Sequence, residues 1–428
     1  MPAESASVSR PRRRAVFAWC LYDWANSAFP TVITTFVFAA YFTRTVAETT
    51  VAGTSQWGWT MSLVGLLVAL SAPLLGAIAD FGGRRKPWIA VFTVLCALAS
   101  AALWWIRPDP AYVALALLLV LAASYAFELG MVFYNAMLPD LAPDDRVGRY
   151  SGWGWGLGYA GGLACLGLAL AGFVRADAPW FGLSQENAEH LRAMGPLVAV
   201  WLLVFSLPLF LFTPDRPATG LAPTEALRRG VAQLLGTFHR IRDYADIARF
   251  LLARMLYTDG LNTLFAFGGI YAAGTFGMDF DELILFGIGM NVTAGLGAAA
   301  FAWMDDRAGP RPTILLALMA LTGLGLVLLV IEDKTLFWLF GLPLGLFVGP
   351  AQSASRSLMA HLAPAHLRTE MFGLYALSGK ATAFLGPALL ALATDLFASQ
   401  RAGMATILAF FVTGGLLLLT VPASRRKG

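Results

Sequence analysis

Stretches of about 20 mainly apolar residues recur along this chain, and short polar segments separate them. A helix of that length crosses a hydrocarbon core of about 30 Å. The pattern therefore predicts an all-α membrane protein with twelve transmembrane helices. We place these helices at residues 15–43, 57–79, 88–106, 111–138, 150–173, 196–213, 247–275, 282–304, 313–331, 336–359, 369–397 and 403–421.

The charge of the loops predicts which ends of the helices face the cytoplasm. Most of the 30 Lys and Arg residues lie in alternate loops and at the two chain ends, as in Arg84-Arg85-Lys86. Because basic loops stay in the cytoplasm, we expect a protein of the cell (inner) membrane with both termini cytoplasmic. Hydrophobic residues make up 58% of the chain, which excludes a soluble globular protein. The scattered basic residues form no patch for nucleic acid.

The longest predicted cytoplasmic loop, residues 214–246, separates two sets of six helices. We expect residues 1–213 and 247–428 to form one six-helix bundle each. Within the loop, apolar residues such as Leu227 and Val231 recur at helical spacing with arginines between them. This pattern predicts a basic amphipathic helix on the membrane surface. A tether and a regulatory partner site both fit, and the tether is favoured because basic faces are expected on the cytoplasmic side.

Loop motifs repeat between the two halves. Asp-x-x-Gly-x-Arg follows span 2 at 80–85 and span 8 at 306–311, and Leu-Ala-Pro occurs at 141–143 and at 362–364. Asp-x-x-Asn also occurs once in each half, in spans 1 and 7. Because the repeated loops lie on the same predicted side, the halves are parallel repeats about an axis along the membrane normal.

The Asp-x-x-Gly-x-Arg loops in a protein of six plus six spans resemble the signature of the major facilitator superfamily. Three further segments, 22–29, 352–357 and 372–380, resemble its vacuole-effluxer-like branch, named for fungal amino-acid exporters of autophagy. The resemblance implies a secondary transporter that works by alternating access on a small-molecule solute, and implies neither an enzyme nor a cofactor. We expect a monomer in the lipid bilayer.

Six charged residues lie at least three residues inside the ends of the predicted spans, three of each sign. Each buried charge costs about 2.5–3.5 kcal/mol on insertion scales, so it is expected to be paired or to line water. The two explanations stay open for Arg254 and Arg356 near the cytoplasmic mouth, and a substrate path is favoured for Lys380 near the midplane. In the superfamily, spans 1, 4, 7 and 10 line the cavity. The resemblance therefore points these residues inward: Asp23, Asn26, Glu128, Asp259, Asn262 and Gln352.

A zwitterion such as an amino acid suits this set of charges. Its carboxylate can bind Lys380, and its amine can bind Asp23, Asp259 or Glu128. Coupling to protons is a second hypothesis, with Glu128 or Asp259 as the carrier. Many proton-coupled relatives have an arginine in span 4, and this chain has none beside Glu128, which argues against proton coupling by that route.

The repeated loops are expected to act as cytoplasmic gates, in which Asp80 caps or pairs with a neighbouring helix end. The predicted gating residues are Asp80, Gly83, Arg85, Arg254, Asp306, Arg311 and Arg356. Two other functions remain as alternatives. An exporter of lipophilic drugs needs an aromatic cavity with few charges, and a membrane-embedded sensor or enzyme needs a reactive cluster. The chain has neither a phosphate-binding loop for ATP nor metal-ligand spacing around Cys20, Cys96 and Cys165.

Overall fold

A computed structural model describes residues 13–176, 178–239, 241–278 and 280–422. The basic residues expected at the two chain ends lie mostly outside these ranges. The described chain is helical, and ten of its helices are long and apolar enough to cross a membrane. A further long helix and a broken helix bring the spans to twelve. In order, they are α1 Arg13–Val46, α2 Thr50–Gly82, α3 Lys86–Ala102, α4 Val113–Leu141, α5 Val147–Ala169, α6 Met194–Phe212, α7 Ala245–Phe276, α8 Phe280–Ala308, α9 Pro310–Val330, α10 Lys334–Leu362, α11 in two halves, Arg368–Ser378 and Leu385–Phe397, and α12 Gln400–Leu418.

Helices α1 to α6 pack into one bundle and α7 to α12 into a second one. The described chain begins and ends on one face of this pair, which we call the inner side. The bundles meet along two seams, α2 against the first half of α11 and α5 against α8. Both seams lie in the inner halves of the helices. The structure therefore holds the inner side closed.

Helix α1 is not a regular α-helix along its whole length. It changes to π-helical geometry over Phe29–Phe36 and again over Phe42–Val46. Pro30 has no N–H to donate, and wider turns accommodate the missing hydrogen bond. This weakened part of α1 directly follows Asp23 and Asn26.

Helix α11 is broken, whereas the sequence predicts one span over 369–397. Its halves are α11a, Arg368–Ser378, and α11b, Leu385–Phe397, and residues 379–384 form turns between them. Pro387 explains the break, because it cannot donate to the carbonyl of Ala383 and its ring crowds that group. Lys380 therefore lies in the turns between two half-helices.

The amphipathic segment forms a helix, Pro223–His239, which we call the linker helix. Gly230 lies against Ile78 of α2, and the side-chain amide of Gln233 donates to Glu370 of α11a at 2.6 Å. Ahead of this helix, Asp215 accepts from the backbone N–H of Arg85 at 2.9 Å. The linker is thus bonded to the inner ends of both bundles, and its placement on the membrane surface stays a prediction.

Gly76 allows α2 and α11a to approach closely. A Cβ at this position would lie 2.5 Å from the carbonyl oxygen of Thr369, whereas nothing lies within 4 Å of a Cβ at Gly58 in the same helix. We expect Gly76→Val to lower the free energy of unfolding by about 1–3 kcal/mol through overpacking. Thermal unfolding in detergent checks this, with Gly58→Val as the matched control. Equal midpoints for the two variants would contradict the closed seam.

Candidate functional site

Asp23 and Arg356 form a buried ion pair between the bundles. A guanidinium nitrogen of Arg356, from α10, lies 3.0 Å from Oδ2 of Asp23 in α1. The same carboxylate accepts a 2.8 Å hydrogen bond from the hydroxyl of Tyr134. Arg356 is 1% exposed and also donates to the carbonyl oxygen of Ser151 at 2.6 Å. An arginine of the second bundle is therefore inserted into the first bundle, and its charge is compensated there.

Aromatic rings enclose this ion pair. Trp19 and Tyr134 stack with their centroids 4.6 Å apart, and the Arg356 guanidinium lies 4.9 Å from the Trp19 ring. These rings exclude water and add a cation–π contact. The pair therefore has the geometry of a structural contact, and it holds the bundles together on the inner side.

Glu128 and Lys380 form a second ion pair between the bundles. Oε1 of Glu128 in α4 lies 2.7 Å from Nζ of Lys380 in the break of α11. Unlike the first pair, these side chains keep 25% and 32% of their surfaces exposed. The Glu128–Lys380 pair is therefore more accessible than the Asp23–Arg356 pair.

Asp259 has no cation beside it among the described residues. Its Oδ2 accepts a 3.1 Å hydrogen bond from the N–H of Gly386, in the first turn of α11b. Its Oδ1 and the hydroxyl of Thr263 are both buried without a described partner. The carboxylate therefore lies at the positive end of a half-helix, apart from the two ion pairs.

The remaining predicted residues of this region are polar or cationic, and each has its own surroundings. Asn26 contacts the sulfur of Met131 at 3.1 Å, and Gln352 accepts from the hydroxyl of Tyr159 at 2.8 Å. Asn262 is exposed. Arg254 donates to the carbonyl oxygen of Tyr375 at 2.6 Å, so it stabilises the end of α11a and pairs with no described carboxylate.

A cavity of about 480 Å³ lies between the outer halves of α1, α7, α8, α9, α10 and α12, and the middle of α5 also lines it. Its walls are mainly apolar and include Phe36, Trp155, Tyr159, Phe265 and Phe286. Tyr159 links the cavity to Gln352. Among the described residues, none of the six predicted intramembrane charges lines this space. The ion pairs therefore lie outside the cavity itself.

Asp80 caps the first turn of α11a from the opposite bundle. Its Oδ1 accepts from the N–H of Thr369 at 3.1 Å, and its Oδ2 accepts from the N–H of Glu370 at 2.9 Å. Arg85 donates to the hydroxyl of Thr369 at 2.9 Å and pairs with Asp140 at 2.5 Å. Burial lowers the pKa of the Arg85 guanidinium from its ordinary value, and the carboxylates of Asp140 and Asp80 oppose that shift.

Asp306 makes the corresponding contact in the other seam. Its Oδ1 accepts from the N–H of Arg149 at 3.0 Å, and Gly148 also donates its N–H to it. Asp306 thus caps the first turn of α5. The repeat is incomplete, because Arg311 donates to the carbonyl oxygen of Leu419 at 2.7 Å and takes no part in this cap. Gly83, with a φ of 82°, ends α2 where only glycine fits easily.

The sequence analysis did not identify Asp140 or Tyr134. Asp140 pairs with Arg85, with Arg216 of the linker at 2.8 Å and with Arg368 of α11a. The only signal for Asp140 was its position between Pro139 and the repeated Leu-Ala-Pro motif. Tyr134 gave no signal, because a tyrosine in an apolar span is ordinary.

Comparison with known proteins identifies the family. The family described as "Vacuole effluxer Atg22 like" matches residues 44–428. The chain belongs to this Atg22-like family. The MFS-type transporter YxiO of Bacillus subtilis (strain 168) is 28% identical over 408 residues, which cover 95% of this chain and 94% of YxiO. Autophagy-related protein 22 of Coccidioides immitis (strain RS) is 22% identical, over 86% of this chain and 72% of that protein.

Solved structures show the same fold. The proton:xylose symporter XylE of the major facilitator superfamily superposes with a TM-score of 0.72 over 96% of both chains, at 15% identity. The Atg22-like chain is therefore a multi-pass transporter of the major facilitator superfamily and not an enzyme. The resemblance read from the sequence motifs is confirmed.

Proposed function

We propose that this Atg22-like transporter is a secondary active transporter that moves a small polar or zwitterionic solute, an amino acid, by alternating access. Its inner side faces the cytoplasm, as the basic loops indicate. The protein works in the cell membrane as a monomer. The structure then corresponds to the state in which the cytoplasmic side is closed.

The observation that carries this proposal is the accessible Glu128–Lys380 pair, at 2.7 Å between the bundles. When the bundles rock apart at this depth, both charges lose the partner that they have in the closed state, and an unpaired charge within a membrane is costly. A zwitterion supplies a carboxylate for Lys380 and an ammonium for Glu128, so it compensates both charges at once. A solute with only one charge leaves the other group unpaired.

The closed seams support alternating access. Asp80 and Asp306 each bond across a seam to the backbone of the opposite bundle. These contacts involve no solute atom, so we propose that they set the conformational equilibrium rather than the cargo. Asp259 and Glu128 remain the proposed proton carriers.

Lys380→Ala is expected to weaken amino-acid binding at least about tenfold, because the solute carboxylate loses its cation. Thermal unfolding of the purified protein across an amino-acid series measures this effect. Lys334→Ala is the matched control, because Lys334 pairs with Glu282 at 2.8 Å in another part of the second bundle. If the series stabilises Lys380→Ala as much as wild type, the proposed site is wrong.

Uptake of the solute into proteoliposomes with and without a pH gradient tests proton coupling. Equal uptake rates under the two conditions would contradict it.

The aromatic cavity favours a second candidate function, the export of a lipophilic compound. Its walls are mainly apolar, and the charges lie outside it. The same unfolding assay distinguishes the two functions. This alternative is supported if lipophilic cations stabilise wild type and Lys380→Ala equally and amino acids stabilise neither.

A further inference from the structure

A lateral crevice of about 760 Å³ runs between α1, α5 and α8, and it adjoins the 480 Å³ cavity at Tyr159 and Asn291. Its walls are apolar along most of their length, with Val16, Leu157, Leu163 and Val292 among them. Leu296 borders it and is 60% exposed. In a membrane-spanning protein, such an exposed apolar crevice faces lipid chains.

The inner end of the crevice is basic. Arg13, Arg146 and Arg149 line it there. Arg149 is engaged by Asp306 at 3.1 Å, but the Arg146 side chain is 51% exposed and its Asp145 contact is 3.6 Å long. Arg13 is exposed and forms no salt bridge to a residue that the structure describes. Two accessible guanidinium groups therefore lie at the mouth of an apolar channel.

The length of the crevice is similar to the length of one phospholipid molecule. Arg146, which immediately precedes α5, and Leu163 of α5 are seventeen positions apart, which corresponds to about 25 Å along a helix. Half of a bilayer, headgroups included, is roughly 20–22 Å thick. One acyl chain with its headgroup thus extends from the arginines at the inner end of the crevice towards Leu163 at its outer end.

We propose that this crevice binds an anionic phospholipid of the inner leaflet, with its phosphate between Arg13 and Arg146 and one acyl chain between α5 and α8. Basic pockets between transmembrane helices are suited to anionic headgroups. Since α5 and α8 belong to opposite bundles, the lipid contacts both sides of a closed seam. Its binding therefore stabilises the inner-closed state over a state in which this seam opens.

Lipid titration of the purified full chain tests this site. Native mass spectrometry in detergent compares dioleoyl-phosphatidylglycerol with dioleoyl-phosphatidylcholine. We expect phosphatidylglycerol to bind about tenfold more tightly. The double variant Arg13→Gln/Arg146→Gln is expected to lose this preference. Arg228→Gln, which removes a 79% exposed arginine of the linker helix, is the matched control and is expected to keep it.

Two further arms identify the bound group. Ala160→Trp fills the crevice from an exposed position of α5 and is expected to reduce phosphatidylglycerol binding without changing the arginines. Glycerol phosphate, which carries no acyl chain, is expected to bind at least about tenfold more weakly. Equal binding of both lipids to wild type, or full binding to Ala160→Trp, would overturn the proposal. Tight binding of glycerol phosphate would assign a soluble anion instead. None of these readouts depends on the transported solute.

Discussion

Arg356→Ala is expected to lower the free energy of unfolding by about 3–5 kcal/mol, because it leaves the Asp23 carboxylate buried without a cation. Asp23 is 5% exposed and Arg356 is 1% exposed, so water does not readily replace the lost partner. Thermal unfolding in detergent measures the loss. The closed inner side is expected to open as well, since this arginine connects the two bundles.

The double variant Asp23→Ala/Arg356→Ala separates charge from packing. Removing both charges is expected to recover part of the stability that Arg356→Ala loses. Arg254→Ala is the matched control. It removes an arginine that bonds to the Tyr375 carbonyl, and it is expected to cost less because no described carboxylate is left unpaired. A double variant less stable than Arg356→Ala would show that packing, rather than the ion pair, dominates at this position.

Asp80→Ala/Asp306→Ala is expected to shift the equilibrium away from the inner-closed state by about 1–4 kcal/mol. Each carboxylate caps a helix of the opposite bundle by accepting two backbone N–H groups across a seam, and the loss of one such cap costs about 0.5–2 kcal/mol. The two caps lie in different seams, so their effects are expected to add. Each single variant is expected to give about half of the shift.

Spin labels on two exposed inner-side residues measure this opening. Arg84 lies on the turn after α2 and His366 lies before α11a, so their separation reports on one seam. The distance is expected to lengthen in the double variant. Asp145→Ala, which removes a 74% exposed carboxylate, is expected to leave it unchanged. An unchanged distance in the double variant would remove the gating role proposed for both aspartates.

Much of the fold could be predicted because lipid imposes a simple rule on the sequence. A helix that crosses the bilayer has to be apolar for about 20 residues, and the twelve predicted spans follow from that requirement. The break in α11 was missed, because hydropathy averages over the turns at 379–384. Pro387 was the available local signal, and its effect depends on whether neighbouring helices support a continuous helix.

The candidate site was less predictable. Intramembrane position identified Asp23, Glu128, Arg356 and Lys380 as costly charges, but their pairing depends on how four helices from two bundles approach one another. Asp259 shows the limit of counting charges. Its carboxylate accepts a hydrogen bond from the backbone N–H of Gly386, and a count of acidic and basic side chains does not include backbone partners.

The repeated loops were informative for a different reason. Asp80 and Asp306 occupy matching positions in two copies, and each lies at the end of a span where a helix terminus is the nearest available partner. Their opposing residues, Thr369 and Arg149, follow the second repeated motif. Asp140 has no acidic counterpart 221 positions later, where His361 stands, so the repeat gave no indication of its role.

The short helix α11a connects the Asp80 cap on the inner side to Lys380. Asp80 holds its first residues, and Lys380 lies two residues beyond its last one. Eleven helical residues, a rod of about 16 Å, separate these two points. A displacement of Lys380 along the helix axis is therefore transmitted through α11a to its capped end. The turns at 379–384 uncouple α11b from that displacement.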